Sequence, residues 1–261
     1  MSQYITLPSS DKSDKNNTSS SFLVRLPETL KLRRGAHAIG LADIIYPCSF
    51  ENVQTHLDYT VHYEEDEHVY SLPSGNYITG EEIITGLEAG VVFREKMLDN
   101  VMKMTNQPLA QRKATRDVVF TYNTILKRIE CDIRSKAVTR VVLSKGLAFF
   151  LGFEDKPITE STLALHPVDY ANNLHSMYIY CDAVQYSIIG SEKGSLLACI
   201  PTPPPNDFGR MISRSFSPIR YVPVSSDNID AIRIEILDEF GRPISFNYGS
   251  TIVQLHITTI D

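Results

Sequence analysis

The stretch from Ala231 to Leu237 alternates strictly, with Ile232, Ile234 and Ile236 apolar and Arg233 and Glu235 charged between them. A period of two puts the isoleucines on one face of a β-strand and the charges on the other. Such a strand needs a sheet with one face against a core and one in water. Asp238 to Pro243 (DEFGRP) supplies a turn, and Thr251 to Ile257 then directs Val253, Leu255 and Ile257 inward. At about 3.3 Å per residue a seven-residue strand spans roughly 23 Å, the height of a sandwich wall. The C-terminal part therefore reads as a β wall.

The same alternation recurs upstream. Phe22, Val24 and Leu26 define a strand that is expected to stop at Pro27. His37 to Tyr46 is apolar on both faces, as in a strand buried within a sandwich, and Pro47 ends it. Tyr59, Val61 and Tyr63 lead through an acidic turn at Glu64 to Glu67 into Val69, Tyr70 and Leu72, a hairpin. Further strands are expected at Val118 to Tyr122, Ile129 to Ile133, Thr139 to Leu143, Met177 to Val184, Leu196 to Ile200 and Arg220 to Val224. Eight or more strands with irregular spacing favour a Greek-key sandwich or jelly roll over a repeat protein.

Two helices interrupt this pattern. Thr79 with Glu82 forms a capping box, and Ile83, Leu87, Val91, Leu98 and Met102 follow near one helical face. Gly86 and Gly90 weaken that helix. A shorter helix is expected over Ser144 to Leu151, closed by Gly152. Residues 9–21 (SSDKSDKNNTSSS) are polar and of low complexity, and read as a mobile arm. Tyr4 to Leu7, just before them, has the pattern of a short edge strand.

Charge and cysteine usage narrow the function. A formal net charge of −6 argues against coating nucleic acid through a broad basic surface. Lys103, Arg112, Lys113 and Arg116 form a local basic patch, read first as a solvated connector and second as a weak contact with packaged DNA or an acidic neighbour. Arg33, Arg34, Arg210, Arg214 and Arg220 are open to the same two readings. No apolar signal core or membrane-length apolar run is present, so an intracellularly made protein without a membrane span is expected. Cys48, Cys131, Cys181 and Cys199 are widely spaced and read as buried reduced thiols.

The chain offers little to an enzyme. It contains no GxSxG, no HExxH and no Gly-rich loop followed by Lys-Ser/Thr; the Gly190 to Gly194 segment reads as a hairpin turn. His62, Glu64, Glu65, Asp66, Glu67 and His68 are the one dense group of metal-ligand types, but at a hairpin tip such acids point outward and stay hydrated. Cys181 beside Asp182 lies in a strand of Tyr and apolar residues, which favours core packing over a nucleophile. No catalytic residue, cofactor site or metal site is assigned.

Several segments in order resemble one family. YITLPSS, NNTSSSFLVRLPETLKL and AIGLADIIYP open the chain; LPSGNYITGEEII and VVLSKGLAFFLGF follow. MYIYCDAVQYSIIG, RYVPV and IRIEILDEFGRPISFNYGSTIVQLHI close it. Together these resemble the penton (minor capsid) proteins of Polinton/Maverick elements, whose relatives occur in virophages and adintovirus-like viruses. Where family members carry Trp in the second strand and after its Tyr-Pro, this chain has His37 and Phe50.

The resemblance implies a mainly β chain built on a single jelly roll, an eight-stranded antiparallel sandwich with a helical insertion and extra hairpins. Residues 1–21 would be a flexible arm and 22–261 the jelly roll. A helix-containing excursion would lie at about 75–115, with a second short helix at about 144–152. It also implies a non-enzymatic homopentamer at the fivefold vertices of an icosahedral capsid, beside a double-jelly-roll major capsid protein. Its place would be the virion, after assembly inside the host cell. A jelly-roll module that binds carbohydrate or a receptor is the alternative reading.

Overall fold

The computed structural model describes residues 2–105 and 117–260, with the backbone alone described over 93–105. The chain divides into two compact units, one of Met1–Phe50 with Leu174–Asp261 and one of Glu51–Asn173. In chain order the first unit opens with β1 (Gln3–Pro8), β2 (Ser21–Lys31) and β3 (His37–Pro47). The second unit carries β4 (Leu57–Tyr63), β5 (Glu67–Leu72), α1 (Gly80–Thr105), β6 (Val118–Asn123) and β7 (Arg128–Ile133). It continues with β8 (Val138–Leu143), α2 (Lys145–Leu151) and β9 (Thr162–Leu163). The first unit then resumes with β10 (Ser176–Cys181), β11 (Ser187–Ile189), β12 (Glu192–Gly194) and β13 (Leu196–Pro201). It ends with β14 (Met211–Ser215), β15 (Tyr221–Pro223), β16 (Asn228–Leu237) and β17 (Ile252–Thr259).

The first unit is a jelly roll, and its pairings show why. Setting aside the short β11, β12 and β15, eight strands remain, and they pair from the outside inward. β1 pairs with β17, β2 with β16, β3 with β14 and β10 with β13, all antiparallel. This is one long hairpin, rolled until β17 also meets β3 and β16 also meets β10. The result is one sheet in the order β1-β17-β3-β14, with β15 extending along β3, and one in the order β13-β10-β16-β2. Both inner faces supply a single core that includes Phe22, Ile39, Met177, Ile179, Ile232, Ile234, Ile236, Val253, Leu255 and Ile257. The alternating isoleucines of β16 are at most 1% exposed. Burying each contributes about 1.5–3 kcal/mol. β3 is paired along both edges, and residues on both of its faces are buried, Ala38 to Ala42 without a break.

Three features of this unit differ from the sequence reading. Tyr4 to Leu7 lies in an edge strand, as its pattern indicates, but residues 3–8 are the first strand of the roll and not part of an arm: Ile5 and Leu7 are in the core and β1 matches β17 over six residues. Residues 9–21 are held as well. Asn17 Nδ2 donates to the Asp11 and Leu23 carbonyls, and Ser19 Oγ donates to the Gly249 carbonyl. Pro27 does not end its strand. β2 runs through it to Lys31, because β2 is an edge strand and its register against β16 shifts between Ile229 and Ala231. A proline on an edge, at a bulge, costs no ladder hydrogen bond.

The second unit has a separate core and its own sheets. β5-β4-β8 form one and β6-β7-β9 another. Ile83, Leu87 and Val91 of α1 and Leu147, Ala148, Phe150 and Leu151 of α2 pack with their apolar faces. The interruption of the roll thus spans 51–173, wider than the expected stretch at about 75–115. Periodicity shows which face of β4 to β8 is buried, but these faces pack on α1 and α2. The capping box forms: the Glu82 N–H donates to Thr79 Oγ1, and Glu82 Oε2 accepts from the N–H groups of Thr79 and Ile78. Ser144 caps α2 and Gly152 closes it at φ 82°. Gly86 and Gly90 prove to be the close-approach points of α1. A Cβ at Gly90 would collide with the Ser71 carbonyl oxygen, and one at Gly86 would lie 2.7 Å from Leu72 Cδ1. Arg112, Lys113 and Arg116 lie outside the described residues, as do the side chains of Leu98, Met102 and Lys103. Among the described residues no helix is long and apolar enough to cross a membrane.

Candidate functional site

In the jelly-roll unit the connections gather at two ends. At one end the β1–β2 connection meets the β16–β17 connection: the Ser9 N–H donates to the Thr251 carbonyl at 2.7 Å. Cys48, just past β3, exchanges backbone hydrogen bonds with Gly209 and Arg210 of the β13–β14 connection. Ser49 Oγ donates to the Tyr248 carbonyl at 2.7 Å. This end carries exposed Phe240, Tyr248 and Met211, beside the proline run Pro201 to Pro205. At the other end the Arg34 N–H donates to Asp227 Oδ1 and its Nε to the Ser225 carbonyl, tying the β2–β3 and β15–β16 connections together. There the β11–β12 ribbon projects Tyr186 (77% exposed) and Ile188 (80% exposed). Its turn is made at Gly190, φ 60°, so the Gly190 to Gly194 segment is a hairpin tip.

The DEFGRP turn is built on one carboxylate. Asp238, 8% exposed, accepts the N–H groups of Phe240 and Arg242 on Oδ1 and Arg242 Nε on Oδ2 at 2.7 Å. The Arg242 guanidinium lies 5.0 Å from the Phe240 ring centroid, which presents that ring at the surface. Hydrogen bonds to a charged acceptor contribute about 1.5–3 kcal/mol. Asp238→Ala is expected to lower stability by about that amount in urea unfolding and to disorder Phe240.

An aromatic row crosses the outer face of the β1-β17-β3 sheet. Tyr4, His256, Gly40 and Tyr221 are successive neighbours across the four strands. The Tyr4 and His256 rings lie 4.5 Å apart, and His256 Nδ1 is 2.8 Å from the Tyr221 hydroxyl. Gly40 is required because a Cβ there would collide with Ile219 and lie 2.8 Å from the Arg220 carbonyl oxygen. Sequence periodicity did not reveal this row, since its members come from four separate strands.

The residues weighed as chemistry separate on inspection. His62 pairs across the hairpin with Glu67, Nδ1 to Oε2 3.4 Å, and His68 Nε2 lies 2.8 Å from Asp66 Oδ2. Among the described residues no three His, Cys, Asp or Glu side chains converge as metal ligands. Cys181 is fully buried in the core, and burial pushes its thiol up to about 12, with a small contribution from Asp182. Cys131 is likewise pushed up to about 12 and Cys48 to about 11, in both by burial first. Cys199, expected to be buried, is exposed, because it faces outward on β13 opposite Tyr178. Only thiolates react, so a thiol reagent at neutral pH is expected to label Cys199 alone among the four. Cys48, Cys131 and Cys181 should label only on unfolding, as read by mass spectrometry. Arg34 and Arg210 are engaged in loop contacts, Arg210 with Asp207 at 3.2 Å. Arg33 and Arg34 follow β2, Arg214 lies within β14 and Arg220 precedes β15, so these arginines do not belong to one segment.

The nested pairing defines a single jelly roll interrupted after its third strand by a second compact unit. No family model matches the sequence, and no curated protein is significantly similar to it. Solved structures are similar in fold. The mavirus penton protein aligns over 99% of this chain and 100% of its own, with a TM-score of 0.52 and 12% sequence identity. A chain of the Sputnik virophage structure, determined by cryo-electron microscopy, aligns over 98% of this chain and 97% of its own. Its TM-score is 0.52 and its identity 9%. The chain thus has the fold of a virophage-type penton protein along nearly its whole length.

Proposed function

We propose that this protein is a penton: a minor capsid protein that forms homopentamers at the fivefold vertices of an icosahedral capsid. It sits beside a double-jelly-roll major capsid protein and acts as a structural component of the virion, without enzymatic activity. The observation that carries this reading is the end-to-end match in fold to the mavirus penton protein, second unit included. The sequence segments that resemble Polinton/Maverick pentons support it independently.

Ring assembly has physical requirements that the surface is suited to meet. A closed five-membered ring needs heterologous contacts, one flank of each copy against the opposite flank of the next. Stable obligate interfaces bury about 2,000 Å² or more, drawn from apolar and aromatic surface. The jelly-roll unit exposes Tyr4, Tyr186, Ile188, Met211, Phe240 and Tyr248, side chains of the kind such an interface draws on. Co-expression with a double-jelly-roll shell protein, followed by cryo-electron microscopy, is expected to show this chain as density on the fivefold axes. Shells whose vertices lack it would overturn the proposal.

A further inference from the structure

β2 is an edge strand of the jelly roll, so one row of its backbone groups faces away from β16. The Ile236 N–H donates to the Ser20 carbonyl, which turns alternate residues toward β16 and leaves Ser21, Leu23 and Arg25 facing outward. An open row of N–H and C=O groups is a template for pairing with another chain. Here the row is closed, and the groups that close it come from residues 11–19, between β1 and β2.

The cover copies the bonds of a neighbouring strand, largely with side chains. The Asn17 amide takes both groups of Leu23: Oδ1 accepts the N–H at 2.8 Å and Nδ2 donates to the carbonyl at 2.9 Å. A residue on a paired antiparallel strand would make the same exchange. Thr18 treats Ser21 alike, its Oγ1 accepting the N–H at 3.0 Å and its own N–H donating to the carbonyl at 2.8 Å. Ser13 Oγ accepts the Arg25 N–H at 3.0 Å. Two residues on, Pro27 has no N–H to leave open. The covering groups are themselves fixed, since Asn17 Nδ2 also donates to the Asp11 carbonyl and Ser13 Oγ to the Asp11 carboxylate. Residues 11–19 (DKSDKNNTS) offer no apolar side chain to the core, and Lys12 and Lys15 are exposed on them. Hydrogen bonds to the edge, not hydrophobic burial, therefore seat this segment, and lysines on an edge discourage a further strand.

We propose that residues 11–19 are an edge guard: they occupy the hydrogen-bonding positions that a strand from a second copy of this chain would take on β2. The guard keeps copies from joining by strand addition at this edge, so that association is left to other surfaces. The inference holds whatever copy number the unaltered chain adopts, because the guard is read against that baseline.

The test combines Ser13→Ala, Asn17→Ala and Thr18→Ala in the full chain, which opens the edge and removes nothing from the core. Hydrogen exchange read by NMR or mass spectrometry should then show the Ser21, Leu23 and Arg25 amides exchanging roughly three- to tenfold faster, the value of one hydrogen bond each. The Phe22 and Val24 amides, turned toward β16, should not change. Asn17→Ala alone is the milder variant and should release Leu23 only. In sedimentation velocity the triple variant is expected to form species about twice the mass, or larger, of those the unaltered chain forms at the same concentration, since an open edge pairs with its own kind. Adding Leu23→Pro removes the central outward donor at no cost to the β16 ladder and should return the mass to that of the unaltered chain. A triple variant with unchanged mass, unchanged exchange at Leu23 and Arg25, or added association that persists with Leu23→Pro would overturn the proposal.

Discussion

Deleting residues 2–8 is expected to unfold the jelly roll rather than to trim a loose end. β1 covers β17 over the full ladder from Gln3 opposite Ile257 to Pro8 opposite Ile252, and it contributes Ile5 and Leu7 to the core. Two such side chains are worth about 1.5–3 kcal/mol each on burial. Their loss also uncovers part of Val253, Leu255 and Ile257 and turns β17 into a raw edge. Set against a domain stability of about 5–15 kcal/mol, the deletion removes most of the margin. Leu7→Ala is the milder form of the same test, since Leu7 is fully buried. It should cost about 2–5 kcal/mol in urea unfolding. A residue on a mobile arm would cost no more than about 0.5 kcal/mol, so the two descriptions of this segment differ by a wide margin.

Gly90→Ala distinguishes propensity from packing by sign. On helix propensity alone the change should stabilise α1 by about 1 kcal/mol. The structure predicts the reverse, because the new Cβ would meet the backbone carbonyl oxygen of Ser71 in β5, which has no side-chain freedom with which to yield. Forcing α1 away from β5 disturbs Ile83, Leu87 and Val91 together, and overpacking of this kind costs about 1–3 kcal/mol. Thermal unfolding of the variant should therefore move downward, and a larger Gly90→Val change should move it further. A rise in unfolding temperature for Gly90→Ala would contradict the observed seat of the helix.

Much of this architecture was legible in the sequence because period two and capping chemistry are local. Ile232, Ile234 and Ile236, Val253, Leu255 and Ile257, the hairpin from Tyr59 to Leu72, and the caps at Thr79 and Gly152 all stand where their spacing put them. What escaped depends on partners distant in the chain. The edge strand at Tyr4 to Leu7 shows in the alternation, but its membership of the roll, with Ile5 and Leu7 in the core, emerges only with β17 beside it. Pro27 is tolerated because β2 is an edge strand, and edge position is a property of the whole sheet. The extent of the second unit was hidden for the same reason: a buried face does not say what buries it. Gly86 and Gly90 looked like weak points of a helix until β5 was seen against them. The Tyr4–His256–Tyr221 row gathers residues from separate strands and leaves no motif at all.

The proposed vertex role rests on copy number. Native mass spectrometry of the purified full-length protein, paired with light scattering over a range of concentrations, reads it directly. A species of five copies, persisting on dilution and forming contacts with the major shell protein, is the predicted result. Monomers at every concentration, with the shell protein present as well as without it, would contradict the role.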